Sequence, residues 1–165
     1  LIVFTVLTLA HSYYKAIKSS FQESIDVRRP IYEWIKENSN NKDLIFVWHE
    51  GFELYYMTQR KMATSFFSTS QHLTKNEIWE KNHCEKIEIP WEKFLYELAK
   101  DKPKIIVDLT PPFYMFQKTK CKKLEFYQLK FNHFINKNYL KEKSIETIDF
   151  QDKYKIRVDL WKRKN

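Results

Sequence analysis

WEKFLYELAKDKPKIIVDL, residues Trp91 to Leu109, constrains the fold more than any other stretch of this chain. Trp91, Phe94, Leu95 and Leu98 recur at three- and four-residue intervals, which places them on one face of a helix. Lys102-Pro103 then stops the helix, because the residue before a proline is steered away from helical backbone. Ile105-Ile106-Val107 follows with no polar alternation, so a strand from Ile105 to Leu109 is apolar on both faces and must be covered on both. That is the pattern of a buried parallel strand.

The rest of the chain repeats the scheme. Arg28-Arg29-Pro30 sets up a helix with proline in its first turn and Ile31, Trp34 and Ile35 as its apolar stripe. Asn38 to Asp43 has the chemistry of a turn and leads into a strand at Leu44 to Trp48. A short helix is expected over Phe52 to Gln59, a strand over Ala63 to Phe67 and a polar loop over Ser68 to Thr74. Leu124, Tyr127, Phe131, Phe134 and Ile135 mark another amphipathic helix. Tyr154, Ile156, Val158 and Leu160 alternate as a strand does, pairing in a hairpin with Lys143 to Phe150. Helix and strand alternate first and a hairpin closes the chain, which predicts a single α/β sandwich with a mixed sheet and helices on both faces. With 165 residues, one domain is expected.

Composition removes several functions. A single glycine in 165 residues excludes the glycine-rich phosphate cradles of P-loop and dinucleotide-binding proteins, and no cofactor is indicated. Cys84 and Cys121 show no zinc-ligand spacing beyond the adjacent His83, so no metal site is expected, and the two thiols pair only if the domain lies outside the cytoplasm. The formal charge of +8 suits nucleic acid or anionic lipid, but the lysines are spread along the chain and no nucleic-acid motif is present. Nucleic acid is therefore not an expected partner.

LIVFTVLTLA, Leu1 to Ala10, is apolar apart from two threonines. It is shorter than the ~20 residues of a spanning helix and lacks the positive region of a signal peptide. It is read as the end of a transmembrane helix, with Tyr13, Tyr14, Lys15 and Lys18 at the interface; the alternative is an ordinary buried strand or helix. The expected organisation is the end of that helix at 1–14, a juxtamembrane segment at 15–29 and a C-terminal α/β domain at 30–165. Lys15, Lys18, Arg28 and Arg29 are placed to meet lipid headgroups or a carrier phosphate.

The candidate site is the carboxyl end of the first strand, where open α/β sheets form their ligand crevices. His49, Glu50 and Glu53 follow that strand, Trp48 and Tyr56 offer rings for stacking, Arg60 suits a phosphate or carboxylate, and Asp108 ends the second clear strand. The competing reading makes His49-Glu50-Gly51 only a strand-to-helix turn, in which Gly51 supplies a positive φ and Glu53 sits at a helix N-terminus. No base-orienting partner and no Ser-His-Asp order accompany these residues, so no catalytic residue is assigned.

IYEWIKENSNNKDLIFVWHEGFELYYMTQRKMATSFF resembles the segment after the last transmembrane helix in polyprenyl-phosphate-sugar-dependent glycosyltransferases of the dolichyl-phosphate-mannose-protein mannosyltransferase-like and aminoarabinose-transferase-like kind. The resemblance rests on Ile45-Phe46-Val47-Trp48, Glu53-Leu54-Tyr55 and Arg60-Lys61-Met62-Ala63-Thr64, with KPKIIVDL (Lys102 to Leu109) and FINKNY (Phe134 to Tyr139) further along. His49 departs from the pattern, which has glycine there. The resemblance implies the C-terminal extracytoplasmic domain of a membrane enzyme that moves a sugar from a polyprenyl-phosphate carrier to an acceptor. The catalytic carboxylate would lie in a loop outside this chain. Trp48, His49, Glu50, Glu53, Tyr56, Arg60 and Asp108 would then at most touch substrate or lipid phosphate. The alternatives are a membrane-tethered binding domain without enzymatic activity and a basic nucleic-acid-binding module.

Overall fold

The computed structural model describes residues 15, 28–49, 51–66, 88–109, 122–148 and 155–164. Helix α1 occupies 28–38. It is followed by β1 (Leu44–Trp48), α2 (Phe52–Thr58), β2 (Lys61–Met62), α3 (Glu88–Asp101), β3 (Ile105–Asp108), α4 (Lys122–Asn138), β4 (Tyr139–Ile148) and β5 (Lys155–Arg163). The strands form one mixed sheet in the order β2-β1-β3-β5-β4. β1 is parallel to both β2 and β3, whereas β5 runs antiparallel to β3 and pairs with β4 as a hairpin.

Two buried clusters divide the sheet into its faces. On one, Phe46, Trp48 and Ile106 meet Trp91, Phe94 and Leu98 of α3 and Leu124, Tyr127, Phe131 and Ile135 of α4. This layer is aromatic: Trp48 lies 4.4 Å from Phe131 between ring centroids, and Trp91 stacks on Tyr127 at 5.9 Å. On the other, Ile45, Val47, Ile105, Val107, Ile156, Val158 and Leu160 meet Ile31, Trp34 and Ile35 of α1 and Leu54 and Tyr55 of α2. The expected α/β architecture with a mixed sheet and helices on both faces is therefore what the chain adopts.

Helix ends follow local chemistry. Asn38 Nδ2 and Ser39 Oγ donate to the carbonyls of Trp34 and Ile35 and finish α1, as side chains do for a helix's unpaired last carbonyls. α2 ends at Gln59 in the left-handed region (φ 56°) and α3 at Lys102 (φ 46°) before Pro103. Such positions usually carry glycine, but this chain has one glycine in all.

Some boundaries differ from expectation. The strand expected over Ala63 to Phe67 is instead the pair Lys61–Met62, and 63–65 bend away. There Ala63 still donates to the Ile45 carbonyl, and Ser65 turns to Glu97 of α3. β4 starts at Tyr139, directly after α4, rather than at Lys143, with a register break between Lys141 and Lys143. Arg28 and Arg29, assigned above to a juxtamembrane segment, belong to α1, and Arg28 is buried against Glu53. Among the described residues no helix is long and apolar enough to cross a membrane; Leu1 to Ala10 lies outside them.

Candidate functional site

β1 and β3 are adjacent and parallel, and the helices that follow them, α2 and α4, cover opposite faces of the sheet. The carboxyl edge of such strands is where open α/β sheets place their ligand crevices. Trp48, Asp108 and Asp159 lie side by side in register across β1, β3 and β5 at this edge, with His49 and Leu109 one residue beyond.

The turn itself is built differently from the expectation. The positive φ belongs to His49 (75°), whereas Gly51 is extended at φ 169°. Glycine at 51 is needed for space: a Cβ there would lie 2.3 Å from Leu109 Cδ1 and 2.9 Å from Val47 Cγ1. Residue 49, not residue 51, is thus the one in the conformation that favours glycine.

The candidate residues separate in space. Glu53, in the first turn of α2, forms an ion pair with Arg28 of α1, and both side chains are largely buried. Trp48 is buried in the aromatic layer, 5.8 Å from Trp91, and presents no stacking face to solvent. Tyr56 is exposed on α2. Asp108 and His49 are half-buried at the edge, each with its own polar or ring contact, and Glu50 lies outside the described residues. α2 leads the chain back across the sheet, so Arg60 sits at the opposite, amino edge. There its Nε donates to Ser39 Oγ at 3.0 Å, its Nη2 to the Ser39 carbonyl at 2.7 Å and its Nη1 to the Thr58 carbonyl at 2.6 Å. The structure brings His49 and Asp108 to one edge with Glu53 beneath, and leaves Arg60 out.

Two further parts of this edge are not among the candidate site residues read from the sequence. Asp159 accepts from Ser144 Oγ at 2.6 Å, Lys141 Nζ at 3.1 Å and Arg157 Nε at 3.1 Å. Partial burial alone would raise its pKa, but these three donors outweigh it and hold the carboxyl below its ordinary value. It is an ionised, occupied acceptor. The available signal was the off-face alternation Arg157-Asp159-Trp161 within β5. The second part is Tyr55, whose hydroxyl accepts from the Val47 backbone N–H at 2.8 Å. β2 is too short to pair with β1 there, and the phenol takes the missing strand's place. Burial pushes that hydroxyl's pKa well up, so it stays protonated.

Among the described residues this edge holds no assembled nucleophile, base and orienting group, nor a group of three or more potential metal ligands. Compared with known proteins, the chain matches no family model, no curated protein and no solved structure.

Proposed function

We propose that this chain is the C-terminal extracytoplasmic domain of a membrane glycosyltransferase. The parent enzyme would transfer a sugar from a polyprenyl-phosphate carrier to a lipid, glycan or protein acceptor, with its catalytic loop elsewhere in the protein. The observation that carries the reading is the backbone at residue 49: φ is 75° at the position where the resembling segment has glycine. Of the other elements of that resemblance, Ile45-Phe46-Val47-Trp48, Glu53-Leu54-Tyr55 and Arg60-Lys61-Met62 fall on one connected unit, β1, α2 and β2, whereas KPKIIVDL leads into β3 and FINKNY closes α4. Glu53 and Arg60 act within that unit as ties, to Arg28 and to Ser39 and Thr58, which accords with a segment that scaffolds rather than breaks bonds. The chain's own part is contact with acceptor or carrier phosphate at the edge formed by His49 and Asp108.

The test uses the full-length membrane protein with a polyprenyl-phosphate sugar as donor. Asp108→Asn is expected to raise KM by about tenfold with kcat unchanged, because it removes binding common to ground and transition states. The isolated chain is expected to give no turnover. Transfer by the isolated chain, or a fall in kcat at constant KM, would place the chemistry here and overturn the proposal. A membrane-tethered binding domain with no enzymatic parent is favoured by one observation: Glu53 and Asp159 are both committed to partners within the fold. A full-length protein with no transfer activity on any such donor would select it.

A further inference from the structure

Helix α4 buries Leu124, Tyr127, Phe131 and Ile135 against the sheet, and its opposite side has an uneven composition. Lys122, Lys123, Phe126, Leu129, Lys130 and Lys137 are all exposed. At 3.6 residues per turn they share about a third of the helix circumference. No acidic residue lies within that arc; the helix's one carboxylate, Glu125, falls outside it. Phe126 is 52% and Leu129 62% exposed. They are neighbours at the i, i+3 spacing, so they form a joint apolar spot rather than scattered surface residues. Lys130 Nζ lies 4.6 Å from the centre of the Phe126 ring, which puts cationic head and apolar body in one place.

We propose that this face of α4 docks on an anionic lipid surface, the lysines reaching headgroup phosphates while Phe126 and Leu129 enter the boundary with the acyl chains. Large apolar side chains set among lysines are what an interfacial helix presents. Other occupants fit less well. A second copy of the same face would set four lysines against four lysines. A nucleic acid would use the lysines and leave Leu129 without a role, and the stripe contains no arginine, the residue suited to bidentate phosphate recognition. This surface is on the side of the sheet covered by α3 and α4, and the inference holds independently of the glycosyltransferase reading.

The test follows position 129 itself, so that any membrane affinity of other segments does not obscure it. Leu129→Cys, in the full chain carrying Cys84→Ser and Cys121→Ser, is labelled with an environment-sensitive fluorophore. It is then mixed with vesicles of phosphatidylcholine alone or of equal parts phosphatidylcholine and phosphatidylglycerol. The expected result is a blue-shifted, brighter emission with the anionic vesicles only. Lys122→Gln with Lys130→Gln should weaken that response about 25-fold, since each lysine near an anionic leaflet contributes a factor of about five. Phe126→Ser should weaken it roughly tenfold. All three positions are exposed, and a melting curve checks that the variants remain folded. A probe that stays in water with anionic vesicles present, a response unchanged by the lysine pair, or a response only to added polynucleotide would each overturn the proposal.

Discussion

Gly51→Ala gives the sharpest test of how the carboxyl edge is built. The added Cβ would meet Leu109 Cδ1 at 2.3 Å and Val47 Cγ1 at 2.9 Å, against the ~3.5–4.0 Å of an ordinary carbon contact. Leu109 is 2% exposed and packed with Val47 and Val107, so it cannot swing into solvent. Backbone strain contributes nothing, because φ is 169° and any residue adopts extended backbone. What remains is overpacking by one methyl group, which destabilises by about 1–3 kcal/mol. With two neighbours displaced we expect about 2 kcal/mol, a fall in Tm of roughly 4–8 °C for a chain of this size. Urea denaturation and circular dichroism melts of the two proteins measure it. Leu109→Ala alone should destabilise by about 2–5 kcal/mol. Combined with Gly51→Ala, it should lose at least about 1 kcal/mol less than the sum, because the clashing atom has gone. His49→Gly is the control for the other half of the argument: left-handed backbone disfavours an L side chain by about 1–2 kcal/mol, so that variant should be unchanged or more stable. An additive cycle, a neutral Gly51→Ala or a strongly destabilised His49→Gly would refute the reasoning.

Arg60→Met keeps the aliphatic stem but deletes three hydrogen bonds to Ser39 and Thr58. It should lower stability by about 2 kcal/mol in urea denaturation, and Arg60→Lys should not restore it, because an ammonium lacks the planar fork that spans both partners. Asp159→Asn should flatten the acid limb of the stability profile. A carboxyl held below its ordinary pKa of 3.8 stabilises the fold above that value and loses the contribution as pH falls through the folded-state value. Urea midpoints compared between neutral and strongly acidic pH read this, and an unaltered acid slope in the variant would count against the Asp159 network.

The sequence carried most of the layer structure because the signals there are local. β1 runs from Leu44 to Trp48 as the bounded apolar run required, and the helical spacing of Trp91 to Leu98 leads into β3 through Lys102-Pro103. β2 is not legible in the sequence, because a two-residue edge strand, exposed at both positions, has no apolar pattern to betray it; only its pairing with Leu44 and Ile45 defines it. The site was harder to read for a geometric reason. Arg60 follows His49 by eleven residues, which in sequence suggests one rim. Yet α2, seven residues long, carries the chain roughly 10 Å at 1.5 Å per residue, and Arg60 arrives at the far edge. Arg28 and Glu53 are separated by 25 positions, and no spacing rule links them.

The single glycine ties these observations together. Among the described residues the left-handed positions are filled by His49, Gln59 and Lys102, each of which accepts a conformation that disfavours its side chain. The glycine goes instead to residue 51, where backbone must pass close to Val47 and Leu109 and where Arg28 Nη1 would lie 3.6 Å from an added Cβ. Closeness, not flexibility, is therefore what the carboxyl edge demands of its sequence. The Arg28–Glu53 pair, the Tyr55 hydroxyl on Val47 and the three donors on Asp159 fix the same edge from three directions.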